Sequence, residues 1–199
     1  MAGSLKKHFP YPTTFKGNDL GVPHTYYVET AMACNLRCPE CAIGSNETKR
    51  ERGLLSKNDF NIIWSKISDY AELVYLHKWG EPTMNPDLDY FIQEVSQSAH
   101  SHIMTNGLLL NEEKLNGYLN SGLGTLIFSI DGVTQSTYEK YRVGGNCSQA
   151  WENLKLAKQI IDNNRYPADL IAQLIVFKHS EHEVDQFIEK CNEIGVRYH

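Results

Sequence analysis

Short apolar segments alternate with longer amphipathic segments along this chain. The first apolar segment, Tyr26–Thr30, is rich in the aromatic and β-branched residues that favour strands. Four further segments with strand character follow, each separated from the next by a helical pattern: 73–76, 102–105, 125–130 and 170–177. Val196–His199 resembles the beginning of a sixth strand. This order predicts an α/β fold, a partial (β/α)6 TIM-like barrel of parallel strands that is cut off near strand 6.

Polar residues at the helix boundaries indicate where the helices begin. Ser56 is a predicted N-cap, and the helix that follows it carries one apolar face made of Phe60, Ile63, Trp64 and Ile67. Asn85 is predicted to cap the second helix, with Pro86 at the first helical position. Asn111 is predicted to cap the third helix, and later helices are expected within 134–141, 148–163 and 181–194.

Composition and patterning divide the chain into two parts. Residues 1–24 show no periodicity and include three prolines, which predicts an irregular N-terminal arm at 1–24 and a domain at 25–199. No apolar run approaches the roughly 20 residues of a membrane helix, and the first residues lack a secretory signal pattern. We therefore expect a cytoplasmic protein without a membrane partner. The net charge of −5 argues against a nucleic-acid partner.

Three of the five cysteines lie within eight residues, Cys34, Cys38 and Cys41, in the run Cys-Asn-Leu-Arg-Cys-Pro-Glu-Cys. A disulfide framework would spread cysteines along a secreted chain, so this spacing favours metal binding. A four-iron, four-sulfur cluster takes four cysteine ligands, and a loop that offers three leaves one iron without a thiolate. An open metal position is typical of sites that perform chemistry. Cys147 and Cys191 stand apart and are predicted to be small buried residues.

Other unusual segments follow the predicted strands at the same end. The cysteines follow the first strand, Trp-Gly-Glu-Pro at 79–82 the second, Thr-Asn-Gly at 105–107 the third and Ser-Ile-Asp-Gly at 129–132 the fourth. Each segment alone is ordinary turn chemistry. In parallel β/α barrels, however, active sites are built where the loops after the strands converge. The order of these segments therefore predicts one site at the carboxyl end of the sheet.

This ordered set resembles the radical S-adenosylmethionine (radical SAM) enzymes over residues 26–195. The cysteine run is similar to the cluster loop of that family, and Trp79–Pro82 is similar to its Gly-Gly-Glu-Pro loop, with tryptophan in place of the first glycine. The run Tyr138–Gly145 resembles the Tyr-x-x-x-Arg-x-Gly-Gly sequence of members that carry a cysteine-rich C-terminal (SPASM) extension. The chain thus looks like a C-terminally incomplete member of the SPASM-containing branch.

The resemblance implies a 4Fe-4S cluster on Cys34, Cys38 and Cys41, with S-adenosylmethionine (SAM) chelating the fourth iron. It also implies that an electron from a reductant such as flavodoxin or ferredoxin leads to cleavage of SAM. The resulting 5'-deoxyadenosyl radical abstracts hydrogen from a peptide, a sugar or a small metabolite, in an oxidation, dehydrogenation or cross-linking reaction. It places the SAM contacts on Gly80, Glu81, Asn106, Ser129 and Arg142.

Several alternatives stay open at this level. Glu81 could accept a hydrogen bond from the SAM ammonium or hold its own loop, and Arg142 could pair with the SAM carboxylate or be a solvated helix-end residue. An Asn-Gly turn at Asn106 needs no ligand to explain it. The cysteines could instead hold zinc together with His24 or His77. The alternative function is a non-catalytic iron–sulfur or zinc protein for electron transfer or scaffolding.

Two features depart from the family pattern. Glu40 precedes the third cysteine, where many members have an aromatic residue near adenine. No cysteine follows Cys191, so the chain contains no auxiliary cluster ligands of the SPASM type.

Overall fold

Six parallel strands lie side by side in the order in which the chain forms them, β1-β2-β3-β4-β5-β6. The computed structural model describes residues 21–199. The strands are β1 Thr25–Tyr27, β2 Leu73–Tyr75, β3 His100–Thr105, β4 Thr125–Ser129, β5 Asp169–Gln173 and β6 Arg197–Tyr198. Each strand is parallel to its neighbours, which confirms the predicted α/β fold of parallel strands. Residues 1–20 of the predicted arm lie outside the described residues, and residues 21–24 contain no helix or strand.

Helices connect the strands as the alternating pattern predicts. They are α1 Lys57–Ile67, α2 Leu88–Ser96, α3 Glu112–Asn120, α4 Gln135–Tyr138, α5 Cys147–Asn164 and α6 Val184–Ile194, with 3-10 turns at Pro82–Met84 and Glu181–Glu183. Ser56 and Asn111 cap α1 and α3 through their side chains, as predicted. Gly195 ends α6 in the left-handed conformation that favours glycine. None of the helices in residues 21–199 combines the length and the apolar character that a membrane span requires.

The two faces of the sheet differ in chemistry. On the outer face, residues such as Val74, Ile103, Leu126 and Phe128 are buried against the helices and form the hydrophobic core. The register pairs Tyr75 with His102, and His102 with Thr125, on the opposite inner face. The side chains of a strand alternate between faces, so the inner face carries polar residues such as His102, Ser129 and Gln173 together with the apolar Met104 and Ile127.

The structure corrects three local predictions. In α1, Phe60 stacks on Phe91 with ring centroids 4.5 Å apart, but Ile63 lies at the margin of the buried stripe and is 37% exposed. Helix α2 begins at Leu88 instead of Pro86: Asp87 is its N-cap, and the side-chain oxygen of Asn85 accepts the N–H of Asp87 at 2.9 Å in a turn before the helix. Strand β5 ends at Gln173 instead of residue 177, since the N–H of Ile175 donates to Asp131 at 2.8 Å instead of continuing the ladder.

Candidate functional site

The segments that follow the strands surround one cavity of about 230 Å³ at the carboxyl end of the sheet. Loops after β1, β2, β3, β4 and β5 all contribute to its wall. The lining includes every residue that the sequence nominated for cluster or SAM binding: Cys34, Cys38, Cys41, Gly80, Glu81, Asn106, Ser129 and Arg142. These residues are therefore close together in the fold, although they are up to 108 positions apart in the sequence.

The loop that carries the cysteines is closed at its base by a single amide side chain. Asn85 Nδ2 donates to the carbonyl oxygen of Thr30 at 2.7 Å and to that of Leu55 at 3.0 Å. An antiparallel bridge between Ala31 and Leu54 and a backbone bond from the N–H of Leu55 to Thr30 at 3.0 Å close the same base. Asn85 thus holds both ends of the loop through Nδ2, while its Oδ1 accepts the N–H of Asp87 at 2.9 Å just before α2.

Two glycines allow close backbone approaches around the cysteines. A Cβ added at Gly80 would overlap the carbonyl oxygen of Ala31, and one added at Gly44 would overlap the backbone of Cys38. The N–H of Glu81 also donates to the carbonyl of Ala33 at 2.8 Å. The Trp-Gly-Glu-Pro segment therefore packs directly on the cysteine loop, and Gly80 is required there even before any ligand is considered.

The cysteine thiols sit in contrasting surroundings. Burial raises the pKa of Cys34 to about 11, although its Sγ accepts a hydrogen bond from the N–H of Leu36 at 3.4 Å. Burial also raises the pKa of Cys38, and the nearby guanidinium of Arg142 offsets part of that rise. Cys41 Sγ donates to the carbonyl oxygen of Trp79 at 3.7 Å. Because a metal binds the thiolate, a metal that enters this loop must displace protons.

Glu81 is a buried carboxylate whose two oxygens accept four hydrogen bonds from the protein. Oε1 accepts hydrogen bonds from the hydroxyls of Thr83 and Thr105, both at 2.6 Å, and from the N–H of Thr83 at 3.2 Å. Oε2 accepts from the N–H of Asn106 at 2.8 Å. Glu81 thus ties the segment after β2 to the segment after β3, which is the loop-holding alternative of the sequence analysis.

Asn106 connects the end of β3 to the cysteine loop. Its Nδ2 donates to Asn35 Oδ1 at 2.8 Å and lies 3.9 Å from Cys34 Sγ. Its Oδ1 accepts from the N–H of Leu108 at 3.0 Å, as in an ordinary Asx turn. The oxygen of the side chain therefore stabilises the local turn, while its nitrogen reaches the first cysteine. The turn alone would not require the second contact.

Arg142 forms a buried ion pair beneath the second cysteine. Its Nε donates to Asp131 Oδ2 at 2.5 Å, while Asp131 Oδ1 accepts from the N–H of Ile175 at 2.8 Å. Burial opposes the charge of Arg142, but Asp131, Cys38 and Tyr138 together outweigh it and raise the pKa of the guanidinium. The N–H of Arg37 donates to the carbonyl of Val143 at 3.0 Å, which fixes this turn against the cysteine loop. Arg142 is thus a mostly buried cation near Cys38, in contrast to a solvated helix-end arginine.

Ser129 lies at the end of β4, where its Oγ donates to Gln173 Oε1 at 3.3 Å. Gln173, His77, Met104 and Tyr141 also line the cavity, and sequence motifs did not nominate them for SAM binding. Gln173 is the register partner of Ser129 across β4 and β5. Because alternate residues of a strand share a face, the residues two positions apart along each strand could have been predicted to line the cavity together.

The donor set fits an iron–sulfur cluster better than a zinc ion. Within residues 21–199, no three Cys, His, Asp or Glu side chains converge closely enough to hold one metal ion. In a four-iron cluster each thiolate binds a different iron, so the sulfurs need not meet at one point. His24 lies before β1, at the end of the strand opposite the cysteines, and Nδ1 of His77 accepts the N–H of Met104 at 3.0 Å. Neither histidine completes a zinc site in this arrangement.

Comparison with known proteins agrees with this geometry. The profile of the radical SAM superfamily matches residues 28–191. The chain belongs to the radical SAM superfamily. Members of the superfamily use a 4Fe-4S cluster and SAM. The radical SAM chain is 27% identical over 141 residues to a PqqA peptide cyclase of Rhodopseudomonas palustris, covering 69% of this chain and 36% of that protein.

Two further similarities define how far the likeness extends. Over 108 residues the chain is 32% identical to a tungsten-containing aldehyde ferredoxin oxidoreductase cofactor-modifying protein of Pyrococcus furiosus, covering 53% of this chain and 30% of that protein. The crystal structure of Streptococcus suis SuiB bound to S-adenosylmethionine superposes with a TM-score of 0.71 and 17% identity, covering 89% of this chain and 40% of SuiB. The SuiB likeness confirms the partial-barrel fold. The chain spans about a third of the length of the two curated relatives.

Proposed function

We propose that this radical SAM chain binds a 4Fe-4S cluster and SAM and directs hydrogen abstraction from a peptide. The observation that carries the proposal is the single cavity that contains all three clustered cysteines and all five nominated SAM contacts. Four strand ends with separate sequence motifs supply these residues, so a common purpose explains their convergence better than independent turn chemistry does. Cys34, Cys38 and Cys41 are the proposed cluster ligands.

When bound, the reduced cluster and SAM supply a 5'-deoxyadenosyl radical that abstracts hydrogen. The chain's own residues bind the cluster and SAM and orient them. Arg142, neutralised on one side by Asp131, places a guanidinium beside Cys38, where its terminal N–H groups can bind the ligand thiolate or the SAM carboxylate. Glu81 holds the segments after β2 and β3 in fixed relation, because its two oxygens accept four hydrogen bonds from these segments.

Three further residues shape the SAM site in this proposal. Gly80 brings backbone groups to the cavity wall against the cysteine loop. Asn106 directs its amide to the neighbourhood of Cys34, and Ser129 offers a hydroxyl at the end of β4. With Glu40 at the position before the third cysteine, the adenine must be contacted from other parts of the cavity, such as Tyr141.

A peptide is the proposed substrate class for two reasons. PqqA peptide cyclases of several organisms are among the relatives of this chain, and the one quoted above covers 69% of it. The run Tyr138–Gly145 resembles the sequence of members with a SPASM extension, whose reactions include oxidation or cross-linking of peptide side chains as well as dehydrogenation of alcohols. The same run supplies Arg142 to the cavity. A flavodoxin- or ferredoxin-type protein is the proposed electron donor.

Anaerobic reconstitution tests the cluster and SAM assignments. The chain is incubated with iron and sulfide, analysed for iron content, then mixed with SAM and dithionite. We expect about four irons per chain and release of 5'-deoxyadenosine. Cys38→Ala should lose the brown cluster, whereas the buried Cys191→Ala should retain it. Full iron content in Cys38→Ala, or four protein ligands on the metal with intact SAM, would favour a non-catalytic metalloprotein instead.

The substrate class is tested separately, in the full product of the gene. Short peptides encoded beside the gene, and a panel of sugars for comparison, are added to the reduced enzyme with SAM. We expect a peptide to stimulate 5'-deoxyadenosine formation and to change in mass. Stimulation by a sugar alone would overturn the peptide assignment while leaving the radical SAM chemistry intact.

A further inference from the structure

His77 lines the cavity and is held by several contacts, but it belongs to none of the sequence motifs of the site. It lies two residues after β2, is 8% exposed, and lines the same cavity as the cysteines. Tyr75 and Tyr27 meet its ring edge-on, with centroids 5.6 and 6.4 Å away. The ring of His102 lies 5.3 Å away on the inner face. This aromatic surround fixes the imidazole plane.

The hydrogen bonds of His77 determine which ring nitrogen carries the proton. The N–H of Met104 donates to Nδ1 at 3.0 Å, so Nδ1 is an acceptor. The carbonyl oxygen of His102 is 3.3 Å from the same nitrogen but receives no hydrogen in that tautomer. The hydrogen therefore resides on Nε2. Nε2 has no hydrogen-bond partner within residues 21–199.

His77 is also neutral. Burial lowers its pKa to about 4, against the smaller opposing effect of the His102 carbonyl. A neutral N–H donor suits a cavity that receives SAM, because a protonated imidazole would repel the sulfonium cation at short range. SAM presents acceptors that such a donor can bind, in its carboxylate, ribose hydroxyls and adenine nitrogens. His77 and the three clustered cysteines line the same cavity, so a ligand bound there has His77 in its wall.

We propose that His77 is a SAM-binding residue that donates a hydrogen bond from Nε2–H to the cofactor. This inference rests on the proposed function, since it requires that SAM occupies the cavity. His77 acts by binding: one nitrogen is held by Met104 and the other is presented to the ligand.

Two amide substitutions separate the roles of the two nitrogens. His77→Asn keeps an oxygen near the position of Nδ1, where it can still accept the N–H of Met104, but leaves nothing at the position of Nε2. His77→Gln reaches the position of Nε2 with an amide N–H but loses the acceptor for Met104. A residue with only a structural role would be impaired in His77→Gln and preserved in His77→Asn. A ligand donor shows the reverse order.

The measurement is SAM affinity by equilibrium dialysis on the anaerobically reconstituted chain, with iron content and far-ultraviolet circular dichroism recorded for each variant. We expect SAM binding by His77→Asn to be roughly 3- to 10-fold weaker than by the wild-type chain, at equal iron content. His77→Gln should bind within about 2-fold of the wild-type chain. This pattern requires no turnover.

The outcomes distinguish this inference from the proposed function. Equal SAM affinity in His77→Asn and the wild-type chain, with iron and fold intact, overturns the role of His77 alone. Weakened binding only in His77→Gln also overturns it and assigns His77 a structural role. Absence of cluster or SAM binding in the wild-type chain refutes the proposed function itself, and the inference falls with it.

Discussion

Replacement of Glu81 by glutamine tests the most heavily used side chain of the site. Glu81 is 3% exposed, and its two oxygens accept four hydrogen bonds from Thr83, Thr105 and Asn106. Glu81→Gln keeps the size and shape of the side chain but replaces one acceptor oxygen with an NH2 donor and removes the charge. It therefore perturbs the hydrogen bonds with little change in packing.

The cost follows from the geometry of the four donors. If the new NH2 lies at the Oε2 position, it faces the N–H of Asn106, and that buried N–H loses its acceptor. If it lies at the Oε1 position, the two threonine hydroxyls can rotate to accept, but the N–H of Thr83 loses its acceptor. One unpaired buried N–H costs about 1–3 kcal/mol, and the remaining bonds lose their charge assistance. We expect a total loss of about 2–4 kcal/mol in the free energy of unfolding.

Urea unfolding of the metal-free chain, followed by circular dichroism under anaerobic conditions, measures this loss. Glu40→Gln is the matched control, because Glu40 is an exposed residue of the cysteine loop with no hydrogen bond in the described part of the chain. It should change the free energy of unfolding by less than about 0.5 kcal/mol. If Glu81→Gln is as stable as Glu40→Gln with the same dependence on urea, the carboxylate does not hold the two segments together.

Three further perturbations follow from the contacts around the cavity. Gly80→Ala would force a Cβ into the backbone of the cysteine loop and should lower the free energy of unfolding by about 3 kcal/mol, as measured in urea. Arg142→Met leaves the buried Asp131 without its cation and should cost about 3–5 kcal/mol in the same assay. Because the pKa of His77 is lowered to about 4 from an ordinary 6.5, the unfolded chain binds the proton more tightly. The free energy of unfolding should therefore fall by up to about 3 kcal/mol between pH 6.5 and pH 4 on account of His77. In His77→Gln, which has no imidazole to protonate, this part of the acid-side decline should be absent.

Two of these expectations have a control substitution in the chain. Gly117→Ala, in α3 where an added Cβ meets open space, should gain about 0.5–1 kcal/mol. Lys158 and the half-exposed Asp162 form an ion pair between residues four positions apart in α5. Lys158→Met removes this pair and should lower the free energy of unfolding by less than about 1 kcal/mol. Equal effects of the two glycine substitutions, or of the two cation substitutions, would contradict the assigned contacts. A pH–stability curve that His77→Gln leaves unchanged would contradict the burial account of His77.

Local sequence patterns predicted the order of the elements and the position of the site. Each of the five apolar segments overlaps an observed strand, because each contains β-branched or aromatic residues and is bounded by turn residues. The cysteine run could be identified because three soft ligands in one loop have few other uses. Ser56 and Asn111 were correctly predicted as caps because a cap bond spans only three residues.

Long-range contacts limited the remaining predictions. Asn85 has the local sequence of a helix cap, yet it binds carbonyl groups 55 and 30 residues earlier in the chain. The choice between two roles for Glu81 depended on Thr105 and Asn106, which only the parallel pairing of β2 and β3 brings near. His77 belongs to no sequence motif of the site. Its environment is created by Tyr75, His102 and Met104 across two strands.

The single amide of Asn85 has a consequence for how a metal centre would be assembled. Because that side chain and the Ala31–Leu54 bridge join the two ends of a long segment, most of the entropy of closing the loop is already lost in the folded polypeptide. Incoming iron and sulfide then need to order only the residues between those ends, so maturation can follow folding instead of driving it. An Asn85→Ala chain would transfer that entropic cost to the inorganic step and slow it.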